Sequence, residues 1–432
     1  MDINRKTAYY TLMDIETKKS FSNLSLNHHI IVCNPPSPAF VRELVYGVLE
    51  NKLLLDYIID KLVPTGAAKV KTGDLVVLRM GIYQLGYMDK VPEYAAVNES
   101  VNLAKKFCKG RQGFINGVLR TYTKEKYTIK LPDRTEDEIR YLSIKYSYAP
   151  WIIRLWLERY DIDFVEELLA AGNETPDVTI RMNWLKTMKP DLIRRLNEKG
   201  FETSEGKLCK NAIHVKGSGL LNNVIYKHGY FSVQDEASML TSEKLDPQKG
   251  DLIMDVCAAP GGKTFAIAER MDNKGLIIAS DIYKRKLDII DKEAKRLGVK
   301  IVQTRTWDAT RVDSSMIGKA DRVLVDAPCS GLGVIRRKPE IKYKNMDSEM
   351  KTLPIKQRAI LEASANYVKP GGILLYSTCT INHYENDRIV NDFLNSSKEF
   401  EELERIQLFP NVDGTDGFFI CKMRRIKTVT NN

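Results

Sequence analysis

Between positions 2 and 126 the apolar residues recur at intervals of three and four, the spacing that lines them along one face of a helix. Val41, Leu44, Val45, Val48 and Leu49 form one such stripe, and LVVLRMGIYQLGYM and YAAVNESVNLAKKF carry others. The pattern breaks at residues 34–38, at 64–66 and around Pro92, so short loops joining antiparallel helices are expected. This predicts an all-α unit over 1–130. In LPDRTEDEIRYLSIKYSYAPWIIRLWLERY two further amphipathic helices are expected, parted near Ala149 and Pro150, as a connector over 131–175. After Pro176 the period shortens. VTIRMNW reads as a strand, KPDLIRRLNEKG as a helix, and FETSEGKL, AIHVKG and YFSVQDEA as strand-like segments, a small α/β insert over 176–240. Beyond Gly250 strands alternate with helices: LIMDV, KTFAIAERM, LIIAS, KRKLDIIDKEAKRLG, DRVLVD, a helix over 355–369, and ILLYST. Such alternation predicts a parallel sheet covered on both faces, within a domain over 241–427. Ligands on such sheets bind beyond the carboxyl ends of the strands.

The chain has 432 residues, enough for about three folding units at roughly 150 residues each. Hydrophobic residues at 43% and charged residues at 28% exclude wholesale disorder. The net charge of +10 favours a polyanionic partner, although a basic surface also serves solubility. Seven scattered cysteines form no CxxC, and five histidines show no zinc spacing. A reducing cytoplasmic setting and no metal are therefore expected. The start MDINRKTAYYTLMDIET lacks the apolar core of a signal peptide, and no stretch nears the roughly 18 apolar residues of a membrane span. No repeat or heptad suggests an oligomer, so a monomer is expected.

The first strand of the alternating region ends in Asp255 and runs into CAAPGGKT at a helix start. Small residues there let the backbone approach a ligand closely. A P-loop would need glycine where Cys257 stands, which argues against a nucleotide triphosphatase. The second strand ends at Asp281, close to the spacing from the glycines at which an acid holds a ribose. The third leads to Asp308, an acceptor for an adenine amino group or else a simple cap. Asp255, Asp281, Asp308 and Asp326 all stand at or past strand ends; capping explains any one of them well and the set less well. The fourth strand ends in DAPCSG and the fifth in STCT. A lone cysteine is more often a buried hydrophobe than a nucleophile. Two at the ends of core strands, Cys329 and Cys379, point instead to a thiolate that adds to carbon 6 of a pyrimidine. Asn382 and Glu385 read as a capping pair starting a helix just beyond Cys379.

DVCAAPGGKT, DAPCSGLGVIRRKPE and YSTCTINHYEND closely resemble motifs of the Nol/Nop/Sun family of RNA cytosine methyltransferases, and DGFFICKMRR resembles its closing strand. AVNESVNLAKKF and GFINGVLR are similar to the NusB antitermination-factor fold. A NusB-like domain ahead of the catalytic one points to the bacterial Sun branch, and the resemblance covers nearly the whole chain. It implies a Rossmann-like α/β S-adenosylmethionine methyltransferase domain, preceded by an all-α NusB-like RNA-binding domain and a small α/β insert of the kind found beside RNA-modifying domains. The implied reaction is methylation of carbon 5 of a cytosine in 16S ribosomal RNA, naked or in a small-subunit precursor. By the same resemblance Cys257, Ala258, Ala259, Pro260, Gly261, Gly262 and Lys263 form the turn that binds S-adenosylmethionine. Asp281 would hold the ribose, Asp308 lie near the adenine, and Asp326 join the cofactor contacts. Cys379 would attack the base and Cys329 assist its release, while Asp326 and Lys263 polarise the cytosine near ring nitrogen 3.

Two departures from the family pattern stand out. Trp307 precedes Asp308 where glycine is common, and Lys342 with Tyr343 replaces an Arg-Trp-like pair. The basic run IRRKPEIKYK, 335–344, is expected to grip a single strand by its phosphates and bases. Three rival readings remain. A DNA cytosine methyltransferase would attack with the cysteine after the Asp-Ala-Pro segment; a NusB-like assembly factor would bind RNA without catalysis. An NAD-dependent dehydrogenase could share Asp281, but GxGxxG is missing.

Overall fold

The computed structural model describes residues 1–344 and 349–427. They form two compact units, one of Met1–Glu174 with Ile335–Lys344, the other of 175–334 with 349–427.

The first unit opens with seven helices, Ile3–Lys18, Ser22–Cys33, Pro38–Glu50, Lys52–Leu62, Thr72–Tyr87, Glu93–Phe107 and Gln112–Glu125. Their starts have local causes. Asp2 accepts from the Arg5 amide, and Ser37 accepts from Phe40 with Pro38 at the first helical position. The stripe from Val41 to Leu49 is buried against Leu12, Val76, Val77 and Leu119, so the helical period predicted the core directly. Glu138–Tyr146, Pro150–Leu157 and Ile162–Ala171 follow, three helices where two were expected. Asp161 caps the third.

The second unit holds two sheets. In the smaller, β1 (Val178–Met182), β2 (Glu202–Glu205), β3 (Ala212–Lys216) and β4 (Phe231–Val233) pair in the order β2-β3-β1-β4, all antiparallel. Helix Lys189–Glu198 presses Leu192 and Leu196 onto Ile180, Ile213 and Val215. The larger sheet comprises β5 (Leu252–Asp255), β6 (Leu276–Asp281), β7 (Val302–Thr306), β8 (Ala320–Asp326), β9 (Val368–Thr378), β10 (Phe400–Leu408) and β11 (Phe418–Arg425). Its order is β10-β11-β9-β8-β5-β6-β7. From β9 to β7 the pairs are parallel, as the strand and helix alternation predicts; β11 and β10 add an antiparallel edge. The helix expected over 355–369 spans Glu349–Ala365 instead, with Pro354 inside it, because β9 already begins at Val368. After β7 the chain crosses to the far side of β5, so a crevice opens between the carboxyl ends of β5 and β8.

Two buried polar links join these elements. Arg181 of β1 is wholly buried, and its guanidinium donates to Glu269 at 2.8 and 3.1 Å, to the Gly262 carbonyl at 2.7 Å and to Gln234. Helix Gly262–Arg270 is thereby tied at both ends to the small sheet. Asp255, at the tip of β5, accepts from the Thr264 hydroxyl at 2.7 Å.

Arg181→Met leaves Glu269 buried without its cation and should cost about 3–5 kcal/mol in urea unfolding, whereas adding Glu269→Gln should recover much of the loss. A second expectation concerns pH. Burial, reinforced by Asp326, pushes Asp255 up from 3.8 to about 7, while Thr264 and Lys263 oppose the shift. Folded chains therefore hold a proton that unfolded chains release. That contribution is complete below about pH 4 and is lost as pH rises through about 7. Urea unfolding followed between those limits should show a shallower fall for Asp255→Asn than for the parent.

Candidate functional site

The turn after β5 is shaped by its small residues. The Ala258 amide donates to the Ser280 carbonyl of β6 at 2.9 Å, and the Gly261 amide returns to the Ala258 carbonyl at 2.7 Å. Gly261 has φ +103°, and a Cβ there would lie 2.7 Å from the Phe265 ring, so only glycine closes this turn. Helix Gly262–Arg270 starts at once from it.

A cleft of about 260 Å³ opens at these strand ends. Cys257 and Ala259 line it from the turn, Asp281 from β6, Asp308 from the loop after β7, Asp326 and Cys329 from the end of β8, and Cys379 from the end of β9. Both cysteines proposed for catalysis thus share one cavity with three of the aspartates. Ala258, Pro260, Gly261, Gly262 and Lys263 shape the turn rather than line the cavity, and Asp255 is buried beneath it.

Each carboxylate is held in place. Asp281 accepts from the Tyr283 amide at 2.9 Å and lies 3.9 Å from the Lys286 ammonium. Asp308 accepts from the Thr310 hydroxyl at 2.7 Å and amide at 3.0 Å, which holds its pKa below the usual carboxylate value. It therefore closes a turn, the plain role open to it, while still facing the cleft. Asp326 pairs with Lys263 at 2.7 Å and accepts from the Ser377 hydroxyl at 3.0 Å. Burial, with Asp255 and Asp326 adding to it, pushes the Cys257 thiol up, so it lines the cleft as a neutral group.

Cys329 Sγ lies 3.3 Å from Cys379 Sγ, and both are free thiols. The hydrogen bond to Cys379, then burial, pushes the Cys329 thiol well above its ordinary value. The raised pKa favours the protonated form of Cys329.

Three features differ from the sequence expectations. Asn382 and Glu385 do not cap a helix, for the next one is Asp387–Ser396 with Asn386 at its cap. They hydrogen-bond each other at 2.7 Å inside the loop. The basic run 335–344 is not a free loop; it belongs to the first unit, where Pro339, Glu340, Ile341 and Lys342 are buried. The wholly buried Lys342 ammonium donates to the carbonyls of Glu50 at 3.2 Å and Tyr146 at 3.4 Å and to Asn173, and burial draws its pKa down to about 7. The Tyr343 hydroxyl donates to Glu50 as well. Neither side chain is left to stack on a base or meet a phosphate. Third, Lys286, Tyr283 and Lys356 also line the cleft. Lys286 was visible as a cation in the first turn after β6; Lys356 sits mid-helix with no local pattern to mark it.

The donor set suits a cationic ligand bearing hydroxyl and amino donors: three carboxylates face the cavity, with Ile282, Ala309 and Ile360 supplying apolar wall. Among the described residues no cluster of His, Cys, Asp and Glu could hold a metal ion, and no helix is long and apolar enough to cross a membrane.

Comparison with known proteins gives a consistent pattern. Residues 2–124 match the NusB family, 148–220 the ferredoxin-like domain of RsmF/B-like methyltransferases, and 242–424 the family described as 16S rRNA methyltransferase RsmB/F. A probable ribosomal RNA small subunit methyltransferase B from Bacillus subtilis is 36% identical, over 98% of each chain. The ribosomal RNA small subunit methyltransferase B of Klebsiella pneumoniae is 32% identical over 89% of each. The crystal structure of PH0851 matches with a TM-score of 0.82 at 26% identity, covering 97% of this chain and 98% of that one. The helical domain is therefore NusB-like, the small α/β insert ferredoxin-like, and the larger sheet a Rossmann-like methyltransferase core. With relatives this similar along nearly its whole length, the chain belongs to the RsmB/F family of 16S ribosomal RNA methyltransferases.

Proposed function

We propose that this chain methylates carbon 5 of a cytosine in 16S ribosomal RNA, with Cys379 bonded to carbon 6 of the base during transfer. The observation that carries the reading is the pair of sulfurs, 3.3 Å apart at the ends of β8 and β9, in the cleft that also holds Asp281 and Asp308. The relatives named as small subunit methyltransferase B supply the ribosomal RNA as substrate class.

Bound S-adenosylmethionine supplies an electrophilic methyl group on a sulfonium. Asp281 would accept from its ribose hydroxyls and Asp308 from its adenine amino group, with the small residues of the turn 257–263 letting the backbone come close; that both aspartates line the cleft supports this. The target cytosine is lifted from its stack to reach the cleft.

Carbon 5 of cytosine is a poor nucleophile until sulfur adds at carbon 6. In this reading Cys379 attacks as the thiolate while Cys329 holds a proton, in keeping with the raised pKa of Cys329 beside it. Once Cys379 is bonded to carbon, the Cys329 proton passes to ring nitrogen 3 and the electron pair at carbon 5 becomes available to the methyl group. Cys329, now a thiolate, takes the carbon 5 proton. The ring double bond re-forms, Cys379 leaves as a thiolate, and nitrogen 3 releases one proton, so the charges balance. Lys263 offsets the charge on the ring, and Asp326, steadied by Lys263 and Ser377, accepts from the exocyclic amino group. The net charge of +10 favours the RNA, and the NusB-like unit adds a second RNA contact.

Cys379→Ala should abolish methylation of small-subunit RNA by radiolabelled S-adenosylmethionine. Cys329→Ala should instead accumulate a denaturant-resistant protein–RNA adduct on a gel. Exchanged outcomes would give the attack to Cys329, the arrangement of DNA cytosine methyltransferases; full activity in both variants would end the covalent scheme. Asp281→Asn should weaken S-adenosylmethionine binding by about tenfold to a hundredfold in calorimetry, the scale of hydrogen bonds to a charged acceptor. Unchanged affinity would remove Asp281 from the cofactor site.

A further inference from the structure

Glu385 is wholly buried six residues beyond Cys379, yet its carboxylate takes part in no step described above. Its Oε2 accepts from the Ser330 amide at 2.8 Å and from the Gln357 side-chain amide at 2.8 Å, and its Oε1 accepts from Asn382 at 2.7 Å. Gln357, equally buried on helix Glu349–Ala365, sends the same nitrogen to the Pro328 carbonyl at 2.9 Å. The backbone on both sides of Cys329 is therefore gripped, the carbonyl before it by Gln357 and the amide after it by Glu385. Asn382 belongs to the loop that Cys379 begins, so the same carboxylate reaches toward both cysteines. A further cross-link, Ser330 Oγ to Thr380 Oγ1 at 2.7 Å, joins the residues that follow them.

We infer that Glu385 and Gln357 are positioning residues that hold Cys329 against Cys379 and thereby govern release of the methylated base. The inference rests on the covalent reading above and deepens it. A buried carboxylate is suited to this because all three groups facing it are N–H donors, so every contact is attractive only while both oxygens accept. An amide in its place would turn an NH2 group toward a donor whichever way it lay. Glu385 also adds to the influences that push the Cys329 thiol up, after the hydrogen bond shared with Cys379 and burial. It thus favours the protonated form of Cys329 as well as setting where that sulfur sits.

The test compares Glu385→Gln and Gln357→Met with Cys329→Ala and the parent, on small-subunit RNA with S-adenosylmethionine. If Glu385 acts through Cys329, Glu385→Gln should slow turnover by on the order of tenfold to a hundredfold, the scale of an ångström's misplacement, and enrich the denaturant-resistant adduct. Its affinity for S-adenosylmethionine in calorimetry should stay at the parent value. Gln357→Met, nearly isosteric and without donors, should enrich the adduct too, which keeps the test open should Glu385→Gln not fold. Combining Glu385→Gln with Cys329→Ala should give no more adduct than Cys329→Ala alone, since the two changes remove one function. The inference is overturned if Cys329→Ala traps the adduct while neither Glu385→Gln nor Gln357→Met does so. It is equally overturned if activity falls only together with cofactor affinity and melting temperature, as a general packing role would require. Absence of adduct in Cys329→Ala itself would instead count against the covalent reading.

Discussion

Everything at this site depends on the parallel pairing of β8 with β9. Their register sets Asp326 opposite Ser377, and the Ala327 amide extends the ladder to the Ser377 carbonyl at 2.9 Å. From that common level one chain needs three residues to reach Cys329 and the other two to reach Cys379. Two sulfurs from segments 50 residues apart thus meet at 3.3 Å. Two strand ends on a rigid sheet hold side chains to a tolerance that two surface loops could not, which the proposed covalent addition requires because it is steep in distance. Both sulfurs line the cleft at these strand ends, beside the switch in strand order between β8 and β5.

That switch in strand order brings the 257–263 turn, the proposed cofactor site, to the thiols. The chain builds β5, β6 and β7 outward and then returns to place β8 on the other side of β5. The connections above β5 and β8 diverge, leaving a gap that neither sheet face can fill. The 257–263 turn lies on one side of the gap and the segment from Asp326 to Cys329 on the other. The Lys263 to Asp326 ion pair spans it at 2.7 Å. Sheet order, more than any single side chain, makes one cavity of the 257–263 turn and a cysteine pair that are far apart in sequence.

How much of this was legible beforehand varied with the kind of interaction. Periodic burial was easy to see: the Val41 to Leu49 stripe and the LIMDV, LIIAS and DRVLVD strands are continuous statements about which face meets apolar neighbours. The aspartates and cysteines were legible because strand ends on an α/β sheet are where chemistry collects. β10 escaped notice since FEELERIQL carries charges along an edge strand, where they discourage further pairing rather than mark a core. Lys342 misled for a related reason. IRRKPEIKYK has the composition of a solvated loop, and nothing local tells that Glu50, Tyr146 and Asn173, more than 160 residues earlier, supply the acceptors that let its ammonium be buried.

The same difficulty explains why the misjudged residues are mostly buried polar groups. A buried leucine needs only apolar neighbours, and any will do. A buried Arg181, Lys342 or Glu385 needs particular partners at particular angles, and those partners come from distant segments. Such groups add little net stability, because desolvation consumes most of what the pairing returns. What they do instead is penalise every alternative in which a partner is missing. Arg181 selects the arrangement in which the Gly262 carbonyl, at the end of the 257–263 turn, lies within its reach; Glu385 selects the one in which Ser330, and hence Cys329, lies beside Cys379. The apolar pattern thus determines the architecture, while a few costly polar contacts fix the positions of the candidate site's atoms within it. The first can be read along the chain, but the second exists only after the chain has folded.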